Sequence, residues 1–131
     1  MRAREILLEM YIAYELDKKS RQRLAVTFPP KYPEFIGHHI TYKFSTGKDD
    51  KLPAIPKSIR VIGYADDGEG LEALVVEING KINRPDGKIY HITWSLDRSK
   101  GRKPVHSNGL VMNGYESITP IDIQAKPEIL K

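Results

Sequence analysis

His39-Ile40-Thr41-Tyr42-Lys43-Phe44 and His91-Ile92-Thr93-Trp94-Ser95-Leu96 are two copies of one phrase. Each reads His, Ile, Thr, aromatic, polar, apolar. Both alternate with a period of two, the pattern of a half-buried β-strand. Strict alternation puts His39, Thr41 and Lys43 on one face and Ile40, Tyr42 and Phe44 on the other. It likewise sets His91, Thr93 and Ser95 against Ile92, Trp94 and Leu96. The apolar faces want the core, with Tyr42 and Trp94 as packing residues. The His/Thr faces are left to meet solvent or a cleft. The chain has only 4 histidines, and two of them stand in these matching strands, each with a hydroxyl at i+2.

The flanks supply the rest of a sheet. Residues 6–16 predict a first strand, with Leu8, Met10, Ile12, Tyr14 and Leu16 opposite Glu9, Tyr11, Ala13 and Glu15. A short helix follows from Asp17, a suitable N-cap, to about Val26, packed down by Leu16 and Leu24. Pro29, Pro30 and Pro33 end it, because proline cannot continue a helix. The first His-Ile-Thr strand spans 38–44, and a loop with Gly47, Pro53 and Pro56 runs to residue 56. Strands at 58–64 and 71–78 flank Ala65-Asp66-Asp67-Gly68-Glu69-Gly70, which has hairpin-turn chemistry. Asn83-Arg84-Pro85-Asp86-Gly87 breaks the chain before the second phrase strand at 89–96. A polar loop at 97–109, with Ser107 or Asn108 as a helix cap, leads to a last strand at 117–125. The count is about six strands and one or two short helices. Its turns favour a mainly antiparallel α+β sheet over a parallel one. The doubled strand suggests two related lobes within a single domain covering residues 1–131.

Composition narrows the chemistry. With no cysteine, disulfides, thiolate metal sites and thiol nucleophiles are excluded. A net charge of +4 favours an anionic partner such as a nucleotide or short oligonucleotide. No block of five like charges offers an arm for long nucleic acid. No apolar run reaches membrane-spanning length, and Glu5 and Glu9 interrupt the N-terminal apolar stretch. The expectation is a cytoplasmic protein without membrane partners.

Phosphodiester cleavage needs a base for the attacking hydroxyl, an acid for the leaving oxygen, and donors for the non-bridging oxygens. Imidazole suits the first two tasks because its ordinary pKa, about 6.5, lies near working pH. Threonine hydroxyls suit the third. His38 precedes His39, so alternation sends it to the opposite face, out of the site. That also prevents both rings from facing one ion. His106, in a polar loop, is expected to face solvent. There is no His-Glu-x-x-His and no third ligand at telling spacing, so no metal or other cofactor is expected.

The two His-x-Thr strands resemble the paired motifs of the two-histidine phosphoesterase superfamily. Longer stretches extend the likeness: Val61 to Val76, Arg84 to Asp97, and Lys103-Pro104-Val105-His106-Ser107-Asn108. Together they are most similar to phage anti-CBASS phosphodiesterases, which destroy the cyclic di- and trinucleotide signals of bacterial immunity. The resemblance implies a bilobal α+β fold around a central cleft and metal-independent chemistry, in the host bacterial cytoplasm if phage-encoded. It implies that His39 and His91 are the catalytic pair, with Thr41 and Thr93 as phosphate ligands. Tyr11, on the polar face of the first strand, is a candidate to meet the nucleotide. Lys43 is a candidate source of positive potential, and Glu116 a candidate contact to a base. An RNA-end 2′,3′-cyclic phosphodiesterase and a non-catalytic cyclic-nucleotide sponge remain the alternatives.

Overall fold

The computed structural model describes residues 11–44 and 51–130. Its elements are β1 (Tyr11–Leu16), α1 (Lys18–Thr27), β2 (Glu34–Phe35), β3 (His39–Phe44), β4 (Ile59–Asp66) and β5 (Leu71–Ile78). They continue with β6 (His91–Leu96), a 3₁₀ turn at Arg98–Lys100, α2 (His106–Met112), β7 (Glu116–Asp122) and β8 (Ala125–Leu130). The strands form one sheet ordered β7-β4-β5-β6-β3-β1-β8, with β2 paired to β6. All pairings are antiparallel. The α+β expectation therefore holds, with eight strands in place of six. The short β2 carries no periodic signal; the strand expected at 117–125 is β7, ending at Asp122, and β8 is a further strand that begins where that reading ended. The part of the first strand expected at residues 6–10 lies outside the described residues.

Local chemistry explains the elements that were legible. The Asp17 carboxylate accepts the Ser20 backbone N–H at 2.7 Å and caps α1. In the β4–β5 turn one Asp67 oxygen accepts the N–H groups of Glu69, Gly70 and Leu71 at 2.8–3.0 Å. The main core lies on one face of the sheet. There Tyr14, Ile40, Leu74, Ile92 and Trp94 pack with Leu24 of α1. Trp94 is fully buried and its indole N–H donates to the Phe28 carbonyl at 2.7 Å. On the other face α2 packs against β4, β5 and β6, where Val111 meets Ala73 and Val75. Among the described residues no helix is long and apolar enough to cross a membrane.

The phrase is repeated in its surroundings as well as in its letters. In the β1·β3 pair Tyr11, Ile12, Ala13, Tyr14 and Glu15 face Phe44, Lys43, Thr41, Ile40 and His39. In the β5·β6 pair Leu71, Glu72, Ala73, Leu74 and Val75 face Leu96, Ser95, Thr93, Ile92 and His91. The two registers agree residue for residue. Each has one irregularity, which leaves Tyr42 or Trp94 as an extra residue on the histidine strand. The two pairs meet at one ladder partnership, Ile40 with Ile92.

Candidate active site

Antiparallel pairing about Ile40 and Ile92 sets His39 across from Thr93 and Thr41 across from His91, all on the face away from the main core. His39 and His91 are then diagonal neighbours across the ladder, about 7–8 Å apart and within reach of long side chains. Small residues, Ala13 and Ala73, flank the two threonines on the outer strands. The four residues singled out by their spacing are thus brought together by β3 and β6.

The expectation that this face meets solvent is corrected at His91, which is only 8% exposed. α2 and the turn before β6 close over that end of the strand. His91 Nδ1 lies 2.8 Å from the Ile89 carbonyl. A carbonyl only accepts, so Nδ1 carries the proton and neutral His91 keeps its lone pair on Nε2. Burial lowers its pKa, the Ile89 bond opposes this, and the cations Arg84 and Lys88 add to the lowering. Arg84 is itself buried and paired with Asp86.

His39 is half-buried, and its pKa falls to about 4. Burial is the main cause, followed by His38 and His91; Glu15 acts in the opposite sense. Both rings are therefore biased toward the neutral form. The Thr93 hydroxyl sits 2.9 Å from Ser107 Oγ and 3.4 Å from the Pro104 carbonyl. Ser107 does not cap α2. Val105 precedes the helix without a side-chain cap bond, and Ser107 lies inside its first turn, fully buried.

Other expected residues divide. Tyr11 is beside the site: its ring centroid is 5.5 Å from that of His39. Lys43 and Ser95 leave the His/Thr alternation, because the extra residue at Tyr42 or Trp94 shifts the pairing of its C-terminal neighbours. Lys43 pairs with the fully buried Ile12. Ser95 donates to Glu72 at 2.6 Å, a buried carboxylate that also accepts from Tyr64. Glu116 opens β7 opposite Tyr64, and β4 and β5 separate it from β6, a span of roughly 14 Å. His106 is exposed, as expected, and its Nδ1 accepts the Lys103 N–H at 3.1 Å.

His38 corrects the alternation argument most directly. It lies in the bend between β2 and β3, outside the strand, so period two does not govern it. Its Nδ1 is 3.0 Å from His39 Nδ1, and its Nε2 is 3.2 Å from Glu15 Oε1. Glu15 had a sequence signal, since it shares a strand face with Tyr11 and Ala13. The bend itself had none beyond Gly37, whose φ is +45°. Arg21 of α1 donates to the Gly37 carbonyl at 2.9 Å and the Ile36 carbonyl at 3.2 Å, tying the bend to the helix.

Among the described residues no three His, Cys, Asp or Glu side chains converge as metal ligands. Surface cavities of about 870 and 510 Å³ lie away from the four-residue cluster; Glu15 borders the larger. Comparison with protein-family models, curated proteins and solved structures finds no match to this chain.

Proposed function

We propose that the protein is a metal-independent phosphodiesterase that opens cyclic di- and trinucleotide immune signals, as a phage counter-defence enzyme does. The observation that carries this reading is the pairing of β3 with β6, which gathers two imidazoles and two hydroxyls on one face about Ile40 and Ile92. The resemblance to anti-CBASS phosphodiesterases supplies the substrate class.

In this reading His39 is the base. Its lowered pKa keeps the ring neutral, with a lone pair able to take a proton from a ribose 2′-hydroxyl or from water. His91 is the acid. Its Nδ1–H bond to Ile89 supports the imidazolium, and an arriving phosphate favours that charged form further. His91 Nε2–H then protonates the departing 5′-oxygen. Thr41 and Thr93 donate to the non-bridging oxygens, and Tyr11 meets the nucleotide beside His39. With the 2′-hydroxyl as nucleophile, a 3′–5′ linkage leaves a 2′,3′-cyclic phosphate and a free 5′-hydroxyl.

The test is incubation with cyclic di- and trinucleotides, and with a 2′,3′-cyclic mononucleotide, in excess EDTA. Cleavage with a bell-shaped pH profile is expected. His39→Ala and His91→Ala should each lower kcat by about 10²–10⁴-fold. Activity lost to the chelator overturns the metal-free mechanism. Tight binding without turnover makes the protein a sponge. Cleavage of the mononucleotide alone makes it an RNA-end enzyme.

A further inference from the structure

We propose that Glu15 and His38 are positioning residues for His39, forming a relay of one ion pair and one hydrogen bond that fixes which ring nitrogen His39 presents. The inference rests on the reading of His39 as the base and extends it to two residues that the His-x-Thr pattern leaves out.

The geometry determines the direction of the relay. Glu15 Oε1 lies 3.2 Å from His38 Nε2, and a carboxylate oxygen in ion-pair contact favours a proton on that nitrogen. Neutral His38 then holds its lone pair on Nδ1. That nitrogen is 3.0 Å from His39 Nδ1, so His39 must donate from Nδ1. The His39 lone pair is left on Nε2. His91 reaches the same tautomer through the Ile89 carbonyl. Two rings on equivalent strands thus carry their protons on the same nitrogen by unrelated contacts.

When His39 Nε2 takes the proton of the attacking hydroxyl, its Nδ1 proton shifts to His38 Nδ1. His39 returns to neutrality with its remaining proton on Nε2. The positive charge comes to rest on His38, ion-paired with Glu15. The His38 side chain is half exposed, and Glu15 borders the 870 Å³ surface cavity, so the extra proton can pass to solvent. The described charged and titratable groups around this line are Tyr11 on β1, Arg21 on α1, His91 on β6, and Lys126 and Glu128 on β8. The pKa of Glu128 is raised, chiefly by its hydrogen bond to Glu15.

The experiment combines a long-range ¹⁵N–¹H spectrum of the free, histidine-labelled protein with pH–rate profiles of Glu15→Gln and His38→Ala. The wild type should show His39 as the Nδ1–H tautomer, and His38→Ala should move it toward Nε2–H. Both variants should lower kcat by about 10–100-fold. Glu15 raises the His39 pKa and His38 lowers it. The acidic limb of kcat/KM should therefore move to lower pH in Glu15→Gln and to higher pH in His38→Ala. A purely structural role would not produce opposite displacements. Glu15→Gln keeps a side-chain oxygen facing His38, so it removes the charge with little change of shape. A wild-type His39 protonated on Nε2, or limbs that stay fixed, overturns the relay. If the wild type cleaves no cyclic nucleotide, the functional reading falls and the spectrum still decides the relay.

Discussion

Thr41 and Thr93 occupy equivalent positions but do not have equivalent environments. Thr93 shares its hydroxyl with the buried Ser107, whereas among the described residues no hydrogen bond holds the Thr41 hydroxyl. Thr93→Val should therefore strand the Ser107 hydroxyl and cost about 1–3 kcal/mol of stability as well as activity. Thr41→Val should lower kcat with its thermal midpoint nearly unchanged. Melting curves run beside rate measurements check the split. The histidines add a pH dependence. A buried imidazole with a lowered pKa binds fewer protons folded than unfolded, so folding weakens as pH falls. For His39 the window runs from about 6.5 to about 4. The wild type should lose stability across it, and His39→Asn should lose less, by an amount on the order of 1–3 kcal/mol. Urea titrations at pH 7.5 and 4.5 measure the difference. The residues of this cluster were legible because type and spacing mark them. Burial of His91 and the partnership of Thr93 with Ser107 depend on α2, which follows β6 closely in the chain but folds back over the sheet by packing that strand alternation does not encode.

The elements show where a period-two pattern stops being informative. The strands and the β4–β5 turn follow from alternation and from Asp/Gly chemistry. Lys43 and Ser95 were expected beside their threonines and leave that alternation because β3 and β6 each carry one extra residue, Tyr42 or Trp94. A bulge changes pairing without changing the alternation of residue types, so the sequence pattern conceals it. The β2–β3 bend is another such case. Gly37 holds φ at +45°, and a Cβ there would lie 2.5 Å from Phe35 Cε1 and 2.9 Å from Trp94 Cζ3. Gly37→Ala should cost about 1–3 kcal/mol and displace His38 and His39. The expected signature is a lowered urea midpoint, with a fall in activity that persists under conditions where the variant is fully folded.

At the scale of the molecule, a repeat of three identical letters and three matched residue classes is a repeat of two strand pairs in identical register. The outer strands gave little sign of it: Tyr11-Ile12-Ala13-Tyr14-Glu15 and Leu71-Glu72-Ala73-Leu74-Val75 share only the central alanine. That alanine is also the point at which each pair shifts register. The core, by contrast, is lopsided, with most of it between the sheet and α1. Trp94 stands in that core and is the chain's 1 tryptophan, so its fluorescence reports the packing of this face. Trp94→Phe should leave a void and remove the bond to Phe28, at a cost of about 2 kcal/mol measured by calorimetry.

The identical registers have a consequence through the positions where the repeat is broken. A frame with a true two-fold axis would hold a phosphodiester equally well either way round. Here Tyr11 and Glu15 on one side correspond to Leu71 and Val75 on the other. One flank of the histidine pair is aromatic and acidic, and the other is aliphatic. In the proposed enzyme this difference sets strand polarity: a cyclic nucleotide enters with its 5′-to-3′ sense running one way along the sheet. The opposite sense has no such flank to use, because Leu71 and Val75 are buried and Val75 packs against Val111 of α2.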